Sequence, residues 1–125
     1  MSLINKYMAC AYVDGGRGPD VFDCWGLVRE VLHVEFGFPL LASFGCVLPD
    51  DKPAVTLGYK NVKSAFELGE LKPGSVAAGF VGVNLIHVGV CVNCDGQLKV
   101  LHTTRKHGVR FETVKNFKRL FFTLI

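Results

Sequence analysis

Residues 22–28 read Phe-Asp-Cys-Trp-Gly-Leu-Val, and they lie where a glycine-rich loop gives way to an apolar segment. From residue 22 to residue 36 the apolar residues recur at helical spacing. Asp20 or Asp23 can cap the start of this segment, and Gly37 can end it. The pattern therefore predicts a helix with a cysteine in its first turn.

That cysteine, Cys24, is placed for nucleophilic chemistry. The unpaired N–H groups and the partial positive charge of a helix N-terminus stabilise an anion. Such a site can lower a cysteine pKa from about 8.5 toward the range of about 3.5 to 7.5. We therefore expect Cys24 to be a thiolate at neutral pH.

From residue 71 onward the chain changes character. Lys72-Pro73-Gly74 makes a turn, and short strands are predicted at residues 75–80, 86–92, 97–103, 109–113 and 119–124. In the less regular middle region, Pro53 can open a second helical stretch toward Leu68. Helices followed by an antiparallel sheet indicate the α+β class.

The length of 125 residues fits a single domain, residues 1–125. The five cysteines are an odd set without the dense spacing of a disulfide scaffold, which favours synthesis in a reducing compartment. The longest apolar run near the N-terminus, residues 8–13, is too short for a signal peptide or a membrane span. We therefore expect synthesis in the cytoplasm, with no signal peptide and no membrane span.

The charge is unevenly distributed along the chain. The net charge is +3, and residues 99–125 carry seven Lys or Arg against one acidic residue. A basic segment can attract nucleic acid or an anionic polymer. Because these charges are scattered among apolar residues, a solvated basic rim explains them at least as well, and we predict no nucleic-acid partner.

The four histidines differ as partners for the thiol. His33 lies nine residues after Cys24 on the same helix, half a turn out of phase, so we expect a structural or surface role for it. His107 lies in a charged tip between strands and is expected to be exposed. His87 and His102 remain as the candidates.

His87 and His102 lie in strands that flank Asp95-Gly96, a strong hairpin signal. If Val92 and Gln97 close the hairpin, the two histidines are directly opposite each other. If Asp95 and Gly96 are the centre of the turn, the histidines are diagonal neighbours. Either register places both imidazoles on one face of the sheet.

The strand that carries His87 has an apolar stripe on its other face, the valines at alternate positions from Val88 to Val92. We therefore expect His87 to face the helix that carries Cys24. A thiolate that attacks a carbonyl needs a histidine to exchange protons and a third polar group to hold that imidazole. Cys24, His87 and His102 can fill these roles, although such residues also occur together in inert domains.

Five motifs occur in order along the chain. They are Tyr12-Val13-Asp14-Gly15-Gly16, Phe22-Asp23-Cys24-Trp25-Gly26-Leu27-Val28, Leu71-Lys72-Pro73-Gly74, His87-Val88-Gly89-Val90, and His102 on the next strand. Together they resemble the NlpC-type cell-wall cysteine peptidases over residues 12–111. The resemblance implies a papain-like α+β fold, with the nucleophile at a helix N-terminus packed on the C-terminal sheet. It also implies hydrolysis of bacterial peptidoglycan stem peptides, often between γ-D-glutamate and a diamino acid, without a cofactor.

The resemblance also implies a role for each matching residue. Cys24 is the nucleophile, His87 the base and acid, and His102 the orienting third member of a Cys-His-His triad. Tyr12 lines the active site or packs as an aromatic beside the double-glycine turn. The backbone N–H of Cys24, helped by Tyr12, stabilises the oxyanion, and Asp23 is available to bind a substrate amine.

Two positions depart from the family pattern. Trp25 stands where the family usually has Ser, which removes a hydroxyl from the mouth of the site. Ser75 stands where the family usually has Asp. The Asp-Cys-Trp-Gly form, the preceding Gly-x-Gly-Pro stretch and the missing signal peptide are similar to the branch found in phage tails and prophages. This implies delivery to the cell wall by a virion, with phage tail proteins as partners.

Two alternatives remain open beside the peptidase. The same scaffold supports an amidase, thioesterase or acyltransferase, and a tail-tip assembly module can keep the fold without catalysis. Cys91-Val92-Asn93-Cys94 has C-x-x-C spacing, but no second pair of ligands accompanies it, so we predict no metal site.

Overall fold

The computed structural model describes residues 3–41, 66–68, 72–81, 84–114 and 120–124. Two helices and two very short strands come first: α1 (Leu3–Met8), β1 (Ala11–Tyr12), β2 (Val21–Phe22) and α2 (Cys24–Val34). Six strands follow among the described residues: β3 (Phe66–Leu68), β4 (Val76–Val81), β5 (Asn84–Cys94), β6 (Gln97–Thr104), β7 (Gly108–Thr113) and β8 (Leu120–Leu124).

Within the described residues, six strands form one antiparallel sheet in the order β3-β8-β4-β5-β6-β7. Strands β4 to β8 match the five predicted strands to within about two residues at each end. The α+β class, with helices before the sheet, is confirmed. None of the helices in the described ranges is long and apolar enough to cross a membrane.

Three strands lie outside the prediction. β1 and β2 pair in parallel and bring the two ends of the glycine-rich loop together. Residues 66–68 form β3, so the predicted second helix does not extend to Leu68. The rest of that predicted helix, residues 53–65, lies outside the described residues.

Helix α2 begins and ends where the sequence signals lie. Asp23, not Asp20, is the N-cap, and its side chain accepts a hydrogen bond from the Gly26 N–H at 2.7 Å. At the other end Gly37 has a φ of 71°, and its N–H donates to the His33 carbonyl. This left-handed glycine stops the helix after its last turn.

The core lies between α2 and the sheet. The buried side chains of α2 pack against buried side chains of β5 and β6; they are Leu27, Val28, Val31 and Leu32 on the helix and Val88, Val90, Val92 and Leu101 on the strands. Each buried side chain of this size contributes about 1.5–3 kcal/mol. The packing therefore holds the start of α2 against the middle of the sheet.

This packing corrects one expectation about His87. The helix covers the valine face of β5, and the alternation along the strand places the His87 Cβ on the opposite face. The physical reason is that the apolar stripe of a helix is buried against the apolar stripe of a strand. The site is therefore not formed by α2 lying over the histidines.

Candidate active site

The glycine-rich loop packs directly on the helix end that carries Cys24. The Gly16 carbonyl oxygen touches the position where a side chain at Gly26 would begin. The Asp23 N–H also donates to this carbonyl, at 3.3 Å. The absence of a Cβ at Gly26 is what allows loop and helix to meet around the thiol.

The buried Asp23 carboxylate stabilises the contact between the loop and the helix. Its Oδ1 accepts from the Gly26 N–H and from Arg17 Nη1, both at 2.7 Å, and its Oδ2 accepts from the Gly15 N–H at 3.1 Å. The residue is only 4% exposed. The expectation that Asp23 binds a substrate amine is therefore corrected, because its carboxylate is buried and engaged by the protein.

The thiol of Cys24 is neutral in the resting protein. Burial first, and the charge of Asp23 second, raise the pKa of the Cys24 thiol to about 11. The backbone N–H groups of Val88, Trp25 and Cys24 itself act in the opposite direction. The expected thiolate at neutral pH is therefore wrong, because the carboxylate at the N-cap offsets the positive helix end and burial disfavours the charge.

The pH dependence of Cys24 alkylation follows from this pKa. Because the thiolate is the reactive form, the rate with iodoacetamide is expected to rise about tenfold per pH unit from pH 7 to pH 10. Timed alkylation followed by peptide mass spectrometry measures the rate at Cys24 separately from that at Cys10 and Cys94. A plateau in the Cys24 rate below pH 8 would contradict a raised pKa.

The Val88 N–H can bond to the thiol because the pairing of β5 with β6 ends before this residue. Their paired residues end at Val90 and Leu101. The Cys91 N–H donates to the Ser75 carbonyl, on the β4 side of the strand. Successive N–H groups of a strand point to alternate sides. Val88 is three residues before Cys91, so its N–H points to the β6 side. Beyond the last pair, this N–H is hydrogen-bonded to the Cys24 thiol.

The two candidate histidines are in direct contact. Asp95 and Gly96 are at the centre of the hairpin turn, with φ values of 51° and 82°, which confirms the second register. Nε2 of His87 lies 3.0 Å from Nδ1 of His102. The ring planes are 74° apart, and the ring centroids are separated by 5.1 Å. One imidazole therefore orients the other.

Gly89 leaves the space that this diagonal contact needs. A Cβ at Gly89 would lie 2.6 Å from Val100 Cγ1 and 3.1 Å from His102 Cβ. Both distances are shorter than ordinary carbon contacts. Any side chain at this position would therefore push His102 away from its place.

Gly89→Ala is expected to lower the free energy of unfolding by about 1–3 kcal/mol, because the added methyl overpacks a closed site. It should also lower turnover by about 100-fold, because a small displacement of His102 misplaces His87. Urea unfolding and steady-state kinetics measure the two effects. Asn93→Ala, at an exposed position of the same strand, is the control. Unchanged stability and turnover in Gly89→Ala would show that the contact is not tight.

The Tyr12 phenol lies within range of the charges of Cys24 and Asp23. Its hydroxyl donates to Asp14 Oδ1 at 2.9 Å, and Arg105 donates to both oxygens of the same carboxylate at 3.1 and 2.9 Å. Burial first, and then the bond to Asp14, raise the pKa of the Tyr12 phenol, and the charge of the Cys24 thiolate adds to the rise. We expected Tyr12 to help stabilise the oxyanion. In the resting protein its hydroxyl donates to Asp14 instead, so this expectation is corrected.

The side chains of the other singled-out residues differ in burial. Trp25 is partly buried against the core. Ser75 is fully buried, and its Oγ accepts a hydrogen bond from the Lys72 N–H at 3.3 Å. The Ser that replaces the usual Asp of the family therefore lies in the turn at residues 72–75. His33 and His107 are both exposed, as expected.

The C-x-x-C pair is part of the sheet. Cys91 is fully buried with Ala77 and Val100, and burial raises the pKa of its thiol to about 12. Cys94 is also buried and carries a free thiol. In the part of the chain that the structure describes, no three His, Cys, Asp or Glu side chains are grouped as metal ligands.

Glu112 on β7 is a neighbour of the histidines that the sequence analysis missed. Its Oε2 lies 3.8 Å from Nε2 of His102, and the two side chains are 33% and 12% exposed. The register pairs His102 with Arg110, so Glu112 is a diagonal neighbour on the same face. The turn signal at residues 105–108 could have revealed this proximity.

These observations define an α+β domain with a thiol at a helix N-terminus, beside the strand that carries one of two hydrogen-bonded histidines. The NlpC/P60 family profile matches residues 9–119, and the chain belongs to this family.

One solved structure with the same fold is that of the NlpC/p60 domain of the peptidoglycan hydrolase SagA. It aligns with a TM-score of 0.61 and 20% sequence identity, covering 97% of this chain and 92% of that chain. At this identity the likeness establishes the fold alone, that of an NlpC/p60 domain. No curated protein has a significantly similar sequence.

Proposed function

We propose that this protein is a cysteine peptidase that hydrolyses peptide bonds in bacterial peptidoglycan stem peptides. The observation that carries the proposal is the position of the Cys24 thiol against the Val88 backbone, next in sequence to His87, while His87 is hydrogen-bonded to His102. Membership of the NlpC/P60 family supports this class of reaction and substrate.

In the proposed mechanism His87 acts as a general base during attack, because the resting thiol is neutral. The proton moves from Cys24 Sγ to His87 as sulfur bonds to the carbonyl carbon. His102 Nδ1 stabilises the imidazolium that forms. His87 then returns the proton to the leaving amine, and water hydrolyses the thioester. The backbone N–H groups of Cys24 and Trp25 are the candidate donors to the oxyanion.

A more specific part of the proposal concerns the bond that is cleaved and the way in which the protein reaches the cell wall. The expected scissile bond joins γ-D-glutamate to a diamino acid, with Trp25 at the mouth of the site. The protein would be a single domain made in the bacterial cytoplasm and delivered to the wall as part of a phage tail or prophage product. Residues 16–19, Gly-Arg-Gly-Pro, and residues 23–26, Asp-Cys-Trp-Gly, support this by their resemblance to the phage branch.

The experiment that tests the function is incubation with purified stem peptides of the diaminopimelate and lysine types, followed by mass spectrometry of the products. Cleavage of either type supports the proposal, and the products identify the bond. Hydrolysis of amide or thioester substrates alone would assign the thiol to an amidase, thioesterase or acyltransferase. No turnover of any of these substrates would favour a tail-tip assembly module.

The histidine assignment is tested with His87→Ala and His33→Ala. Loss of the general base is expected to lower kcat about 10³-fold in His87→Ala, whereas His33→Ala should keep most of the activity. Circular dichroism confirms that both variants are folded. If His33→Ala loses as much activity as His87→Ala in a folded protein, the assignment of the base is wrong.

A further inference from the structure

The bond between the two histidines leaves open which ring carries the shared proton. A neutral imidazole has one N–H, so either His87 donates through Nε2 or His102 donates through Nδ1. When His87 donates through Nε2, its other nitrogen, Nδ1, is unprotonated and can act as the base. When His102 donates instead, His87 Nε2 accepts the bond and the proton of His87 lies on Nδ1. A base assisted by His102 therefore requires His102 to carry its own proton on Nε2.

The group nearest to that side of His102 is a carboxylate. Glu112 Oε2 lies 3.8 Å from His102 Nε2, and an ionised carboxylate accepts hydrogen bonds but donates none. Its charge favours a proton on the nitrogen that faces it. The His102 side chain is only 12% exposed, so solvent screens this interaction less than it would at the surface.

Two arginines belong to the same part of the fold as the histidine pair. Arg110 is paired with His102 across β6 and β7, and its side chain is exposed to solvent, which screens its charge. Arg105 is paired with Asp14 and contributes little net charge. Glu112 is an acidic side chain within ion-pair distance of His102.

We propose that Glu112 is a positioning residue of this site, and that it acts through His102. Its carboxylate holds His102 in the Nε2–H tautomer, so that His102 Nδ1 accepts from His87 Nε2 and His87 keeps Nδ1 as the base. The relay then runs from Cys24 through His87 and His102 to Glu112. The role in turnover rests on the proposed peptidase function, whereas the tautomer does not.

The direct test is the tautomer of His102, read from two-dimensional ¹⁵N–¹H spectra of the histidine-labelled full chain at neutral pH. Wild-type protein is expected to show His102 protonated on Nε2. Glu112→Gln should give a mixture of tautomers, because an amide can both donate and accept. Glu30→Gln, the same change on α2, is the matched control and should leave the His102 signals unchanged.

The kinetic test uses the same variants. Glu112→Gln is expected to lower kcat about tenfold with little change in KM, because only part of the general-base contribution is lost. A wild-type His102 protonated on Nδ1, or a tautomer that Glu112→Gln leaves unchanged, would overturn the proposal. If no stem peptide is cleaved by wild type, the proposed function fails, and the spectra still test Glu112 independently.

Discussion

Cys24→Ala is expected to abolish cleavage of stem peptides, a loss on the order of 10⁶-fold, because no other group can form the thioester. The domain should remain folded, since alanine is favourable in the first turn of a helix and the Asp23 cap does not depend on the thiol. Product formation is measured by mass spectrometry over long incubations, and folding by circular dichroism.

The control for this substitution is Cys10→Ala. Cys10 is a free cysteine at a partly exposed position after α1, so its loss should leave turnover close to that of the wild type. Residual turnover of more than about 1% in Cys24→Ala would be inconsistent with a nucleophilic role. In that case the bond would be cleaved by direct attack of water.

Gly26→Ala is expected to have the largest effect on the fold around the site. The added methyl would overlap the backbone carbonyl of Gly16, which cannot move aside as a flexible side chain can. The loop would have to leave the helix, and the hydrogen bonds of Asp23 to Gly15 and Arg17 would be strained. We expect a loss of about 3 kcal/mol or more in the free energy of unfolding.

Urea unfolding measures this loss, and the alkylation rate of Cys24 reports the displacement of the loop. Glu30→Ala is the control, because it makes a change to alanine on the same helix without contact to the Gly16 carbonyl. Helix propensity alone would make Gly26→Ala more stable by about 1 kcal/mol. A variant at least as stable as the wild type would therefore show that the loop does not pack on Gly26.

Local sequence signals predicted much of the fold, because helix caps and tight turns depend on residues that are close together in the chain. Asp23 and Gly37 bound α2 because capping and the left-handed conformation depend on single residues. Asp95-Gly96 limited the β5–β6 hairpin to two registers, and one of them is observed. The histidine pair could therefore be identified before the structure was known.

The properties of the thiol could not be read in this way. A helix N-terminus alone lowers a cysteine pKa, but burial and the Asp23 carboxylate raise that of Cys24 to about 11. Burial depends on how α2, the loop and β5 pack together. The prediction that Asp23 binds a substrate amine was wrong for the same reason, because its partners Gly15 and Arg17 approach it only when the loop folds back.

The sequence by itself determined helix α2 and its ends, strands β4 to β8, the two possible hairpin registers and the family pattern. Tertiary structure alone decided which face of β5 the helix covers, where the phenol proton of Tyr12 goes and that Glu112 lies beside His102. Spacing along a chain specifies periodicity and caps, whereas charge, burial and contact depend on distances between segments.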